Sequence, residues 1–144
     1  MNLRRALGTA ATAALAVGLI AIPAQATPAA PTALVTYAGN SPDGSYAQVD
    51  YEYTARGDGW FSTKVRNGYV YNISGGYAYT YLIMKQTVPT NPRASSVLAW
   101  APDGASDTQL FYGDESKTKD VHFYVCLGSS SDEEQGGCVQ LRKL

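Results

Sequence analysis

The sequence predicts an all-β protein, an antiparallel β-sandwich or small barrel of about seven or eight strands stapled by one disulfide. Three observations carry this. Side chains alternate with period two between residues 46 and 54, β-branched and aromatic types dominate the segments between turns, and Gly, Pro and Asn recur at short intervals with no helical period between them.

Residues 1–26 have the pattern of a cleavable signal peptide. Arg4 and Arg5 supply a positive start, residues 10–22 an apolar run too short to span a bilayer, and Ala24-Gln25-Ala26 the small residues that signal peptidase reads. The expected product is secreted and extracellular. It carries no membrane anchor in the mature form, because no cysteine follows the apolar run to take a lipid. Residues 27–33 read as a flexible Pro/Ala tether and residues 34–144 as a single all-β domain.

The first strand of that domain begins near Leu34. Residues 46–54, 60–66, 69–74 and 77–85 then read as a four-stranded antiparallel meander. Its turns are Arg56-Gly57-Asp58-Gly59, Asn67-Gly68 and Gly75-Gly76, the last two with the composition of two-residue hairpins. Pro89 and Pro92 interrupt the pattern, as expected where the chain crosses to a second sheet. Further strands are expected at 97–100, 109–112, 121–127 and 139–141, separated by Pro102-Asp103-Gly104, a charged loop at 114–120 and an acidic Ser/Gly loop.

Register follows from those turns. It places Val49, Tyr51, Tyr53, Trp60, Tyr69, Tyr71, Ile73, Ala78, Leu82 and Met84 on the core side. The opposite face collects Asp50, Glu52, Thr63 and Asn72 with Phe61, Val65, Val70, Tyr77, Tyr79, Tyr81 and Ile83. Tyrosines at alternate positions offer ring faces and hydroxyls at little entropic cost, so Tyr77, Tyr79 and Tyr81, flanked by Asn72 and Phe61, are the candidate ligand-binding residues. Against this stands the plain fact that tyrosine suits any half-buried strand.

The two cysteines, Cys126 and Cys138, are expected to pair in an oxidising exterior, closing a short loop. Residues 120–126 include Tyr124-Val125-Cys126, which resembles the Tyr-x-Cys of an immunoglobulin strand F. In that family the other cysteine lies upstream in the facing sheet, whereas here it lies downstream, so the bridge should join neighbouring strands and no family is claimed.

Charge excludes one class of partner. Removing residues 1–26 takes away two of the eleven basic residues and none of the twelve acidic ones, leaving a net charge of about −3. Without a basic cluster the domain has no electrostatic grip on a phosphate backbone, so nucleic acid is not an expected partner.

Catalytic patterns are sparse. His122 is the single histidine, it lies in a predicted strand, and no nucleophile motif accompanies it. Asp50 and Glu52 share a strand face and read as solvated acids, although a glycosidase could use such a pair. Asp132-Glu133-Glu134 lacks calcium-loop spacing, and Arg56-Gly57-Asp58 and Asn72-Ile73-Ser74 default to structural roles. No catalytic residue, metal or cofactor is therefore expected. The reading is a secreted non-enzymatic module that binds an extracellular glycan, cell-wall fragment or protein. A small extracellular hydrolase or a secreted inhibitor or toxin-like factor is the alternative.

Overall fold

A computed structural model describes residues 31–108, 110, 114–129 and 137–144. The predicted signal peptide, most of the tether, nearly all of the 109–112 strand and the acidic run at 132–134 lie outside the described residues. Those described form nine antiparallel strands and no helix: β1 (Thr32–Asn40), β2 (Tyr46–Ala55), β3 (Phe61–Tyr71), β4 (Tyr79–Val88), β5 (Asn91–Pro102), β6 (Ser106–Asp107), β7 (Glu115–Gly128), β8 (Cys138–Gln140) and β9 (Arg142–Lys143). They make one open sheet in the order β5-β4-β7-β3-β2-β1-β9, with β6 added beside β3 and β8 beside β7.

β7 joins the two halves. Its first residues pair with β3 (Phe61 with Thr118, Thr63 with Glu115), and from Lys119 onward it pairs with β4 as far as Gly128. Side chains from both halves meet in one core, in which Val49 and Tyr51 of β2 and Val65 and Val70 of β3 pack with Leu82 and Met84 of β4 and with Phe123 and Val125 of β7. The sheet therefore coils around a shared interior. Burying a large side chain such as Phe123 contributes on the order of 1.5–3 kcal/mol, and the removal of so much apolar surface from water is what holds the two halves together.

The period-two reading of β2 holds, with Ala47, Val49 and Tyr51 inward and Gln48, Asp50 and Glu52 outward. The meander does not. β3 runs unbroken through Asn67-Gly68, pairing Asn67 with Asp50 and then Val65 with Tyr51, so Arg66 is an extra residue in a β-bulge. Two packing facts explain why this Asn-Gly is no turn. Asn67 Nδ2 donates to Asp50 across the ladder, and Gly68 lies so close to Leu110 that a Cβ there would collide with the leucine side chain. The bulge shifts the alternation along β3, so Val65 and Val70 are core while Tyr69 (37% exposed) and Tyr71 point outward.

Gly75-Gly76 likewise closes no hairpin, since β3 and β4 are not sheet neighbours. Asn72 N–H donates to Ala105 O and Gly75 N–H to Asp103 Oδ1, which ties this loop to the corner after β5. The chain also stays in the same sheet at Pro89. Val88 pairs with Asn91 across a Pro89-Thr90 turn, proline presetting the φ the turn needs, and β5 forms the sheet edge where Pro92 and Pro102 are tolerated.

Cys126 and Cys138 are disulfide-bonded and lie opposite each other in the β7–β8 register, so the bridge joins neighbouring strands as expected.

Candidate functional site

The residues proposed from sequence are dispersed. Tyr77 is 45% exposed in the β3–β4 loop. Tyr79 and Tyr81 share the face of β4 that points away from the main core, their rings 6.3 Å apart and Tyr79 edge-on to Trp100 at 5.4 Å. Tyr81 is only 1% exposed. Asn72 is fully buried and acts within the fold, its Nδ2 donating to Tyr77 O (2.8 Å) and Ala101 O (3.3 Å) and its Oδ1 accepting from Ser45 Oγ (3.2 Å). Phe61 stands apart from these, in the wall of a cleft on the core side.

That cleft is where aromatic surface, charge and an unusual backbone converge. It encloses about 230 Å³ between Tyr37 of β1, Tyr51 and Tyr53 of β2, Phe61 of β3 and Lys119, Asp120 and Val121 of β7. Alternation along β2 puts Tyr51 and Tyr53 on one face, where their rings stack at 5.6 Å, and Phe61 closes edge-on against Tyr53 at 5.7 Å. Phe123 supports the cleft from the core, 5.2 Å from Tyr37 and 5.3 Å from Tyr51. Each of these ring pairs prefers a tilted or offset geometry, which stiffens the wall.

The charged end arises where β7 changes partner. Between Lys85–His122 and Thr87–Lys119 the β4–β7 register gains a residue on β7, and within this bulge Asp120 has φ of +52°. It is the one non-glycine with positive φ among the described residues. Aspartate is among the few side chains that tolerate this region, because its short polar group can bond locally. Here Asp120 Oδ2 accepts from Thr87 Oγ1 at 3.3 Å. Lys119 lays its ammonium over the Trp60 ring at 4.8 Å, which fixes a long side chain beside the cleft at an attractive cation–π distance.

A second depression of about 510 Å³ borders the first. It is lined by Lys85, Gln86 and Thr87 of β4, by Pro92, Arg93, Ala94 and Ser95 of β5, and again by Asp120.

The other chemical candidates are engaged in the fold. Asp50 accepts from Thr36 Oγ1 (2.7 Å) and Asn67 Nδ2 (2.8 Å), and Glu52 accepts from Arg66 Nε at 2.7 Å. That hydrogen bond, with the nearby Arg66 and Lys64 charges, holds the Glu52 carboxyl below the usual carboxylate range. Asp58 caps its own turn by accepting from Trp60 N–H. His122 is exposed with Nδ1 3.0 Å from Gln140 Nε2, outside the cleft. Among the described residues, no three His, Cys, Asp or Glu side chains gather as a metal-holding group.

Sequence reasoning named Phe61 and gave Tyr51 and Tyr53 to the core side, but passed over Tyr37, Lys119 and Asp120. The available signal was Lys119-Asp120 immediately before a strongly apolar strand, a charged pair at the place where the backbone bulges. No family model, no curated protein and no solved structure matches this chain.

Proposed function

We propose that this chain is a secreted, non-catalytic binding module that holds one ring of an extracellular glycan in the aromatic cleft. The carrying observation is the convergence of four aromatic rings with one carboxylate and one ammonium at the β7 bulge. Ring faces take the C–H surfaces of a sugar, while Asp120 accepts from hydroxyls, Lys119 donates to them and tyrosine hydroxyls do both. A cavity of about 230 Å³ is smaller than the roughly 300–1,000 Å³ of a drug-sized site, a scale that suits a single ring within a chain.

Among the described residues Asp120 is the one carboxylate lining the cleft, and four aromatic rings accompany it, a composition that suits holding a sugar. The leader pattern and the disulfide support an extracellular setting. In this reading the scaffold is a sandwich made from one coiled sheet.

Titration calorimetry of the purified protein against soluble fragments of peptidoglycan, β-glucan, chitin and acidic polysaccharides tests the proposal. Tyr53→Ala and Phe61→Ala should each weaken binding about tenfold, the scale of a lost aromatic contact, with Tyr77→Ala unchanged. No binding to any glycan, or binding indifferent to both cleft substitutions, refutes it.

A further inference from the structure

Resting on that reading, we infer that the sugar ring held in the cleft carries an N-acetyl group, and that the hydroxyls of Thr63 and Thr118 receive its amide. The ladders set both threonines on the cleft side of the sheet. Thr63 of β3 pairs with Tyr53 of β2 and lies two residues from Phe61, so it shares their face, and Thr118 of β7 pairs with Phe61 itself. Tyr53 and Phe61 are the rings that meet edge-on at 5.7 Å in the cleft wall. Thr63 is 2% exposed and Thr118 0%, and the Oγ1 of each is buried without a hydrogen-bond partner. A fold satisfies nearly all of its buried polar atoms, because a hydroxyl taken from water and left unbonded opposes folding. Two unbonded hydroxyls on the same face of adjacent strands are therefore donors and acceptors available to a group that enters from outside.

The surroundings select the class of group. A charged substituent would lose its hydration among rings and hydroxyls that cannot neutralise it. The two charges of the cleft are engaged elsewhere, Lys119 over the Trp60 ring at 4.8 Å and Asp120 Oδ2 on Thr87 Oγ1. The group is therefore uncharged, with a donor and an acceptor to use two hydroxyls that each offer both. An acetamido group supplies a carbonyl, an N–H and a methyl, and the methyl packs against Tyr53 and Phe61 as the sugar's own C–H surface does. A bare ring hydroxyl brings no methyl and reaches less far. Tyr53 and Phe61 are half-buried, so a rotamer change at either opens the way to the threonines, a common adjustment at binding sites.

The test is calorimetry on β-linked oligomers of equal length in three series, N-acetylglucosamine, glucosamine and glucose, which differ in one substituent of each ring. The N-acetyl series should bind about tenfold or more tighter than the other two, the scale of two added hydrogen bonds. Thr63→Val and Thr118→Val keep the shape and remove the hydroxyl. Each should cut the N-acetyl affinity about fivefold, the scale of one hydrogen bond, leave any glucose-series affinity unchanged, and not lower the melting temperature, since it removes an unbonded buried group. Thr80→Val is the control. Its Oγ1 is also buried and unpartnered, but Thr80 pairs with Ala101 and Leu127 near the start of β4, so its substitution should leave affinity unchanged. Equal binding of the three series, an N-acetyl preference that survives both cleft-side substitutions, or a melting temperature lowered by several degrees in both variants overturns this inference and leaves the glycan-binding reading standing. Binding to other glycans but to none of these series does the same. Failure to bind any glycan overturns that reading as well.

Discussion

Asn72 offers the sharpest separation between a structural and a binding role. Its side chain is fully buried and makes three hydrogen bonds, donating to Tyr77 O and Ala101 O and accepting from Ser45 Oγ. Ser45 Oγ in turn accepts from Ile73 N–H, so one asparagine ties together the start of β2, the β3–β4 loop and β5. In Asn72→Ala three bonds worth about 1 kcal/mol each are lost, and a buried hydroxyl keeps a donor with no acceptor, for a total of roughly 3–5 kcal/mol. Against the ~5–15 kcal/mol that separates folded from unfolded domains this is severe. At about 4 °C per kcal/mol the melting temperature should fall by at least ~10 °C in scanning calorimetry. Asn72→Asp should do no better at neutral pH, because it places a charge against two carbonyl oxygens, and should recover in part when acid restores a donor. A melting point for Asn72→Ala within about 2 °C of the parent, accompanied by lost glycan binding, would falsify this account and return Asn72 to the ligand surface.

Three other perturbations probe the bridge, the bulge and the surface charges. Replacing Cys126 and Cys138 by alanine removes a cross-link of sequence separation 12 and should cost about 3 kcal/mol by loop-closure entropy, read as a lower urea midpoint; an unchanged midpoint contradicts it. At Asp120, glycine should exceed alanine in stability by about 1 kcal/mol, because φ of +52° strains a Cβ but not glycine; equal midpoints would mean that the bulge relaxes. Glu52 is held below its ordinary pKa by the Arg66 hydrogen bond, and Asp58, despite a desolvation that would raise it, is lowered by Trp60 N–H, Lys117 and Arg56. Both folded values lie under the unfolded ones, so their stabilising effect is complete above the unfolded carboxylate value and fades as pH falls through the folded one. Melting temperature should therefore be flat from pH 7 to 5 and decline below about pH 4, the decline shrinking in 1 M salt; a rise on acidification would reverse the assignment.

What could be read from the sequence divides by the range of the forces involved. β2 was legible because one buried face imposes period two on Ala47, Val49 and Tyr51, a pattern that needs no knowledge of partners. Asn67-Gly68 and Gly75-Gly76 misled because turn composition is local evidence, and here distant groups overrule it. Leu110 claims the space above Gly68, and Asp103 and Ala105 capture the backbone of the β3–β4 loop. A single bulged residue, Arg66, then inverts Tyr69 and Tyr71, so the tyrosine that looks outward is not the tyrosine that alternation alone selects. The cleft was harder still. Tyr37, Tyr53, Phe61 and Asp120 lie on four strands whose order, β7 between β3 and β4, is fixed by long-range pairing. The one local trace of it was Lys119-Asp120, polar residues at the point where β7 exchanges β3 for β4. An extra residue and a left-handed aspartate interrupt regular pairing there, beside the aromatic wall, and no periodic pattern in the sequence announces either.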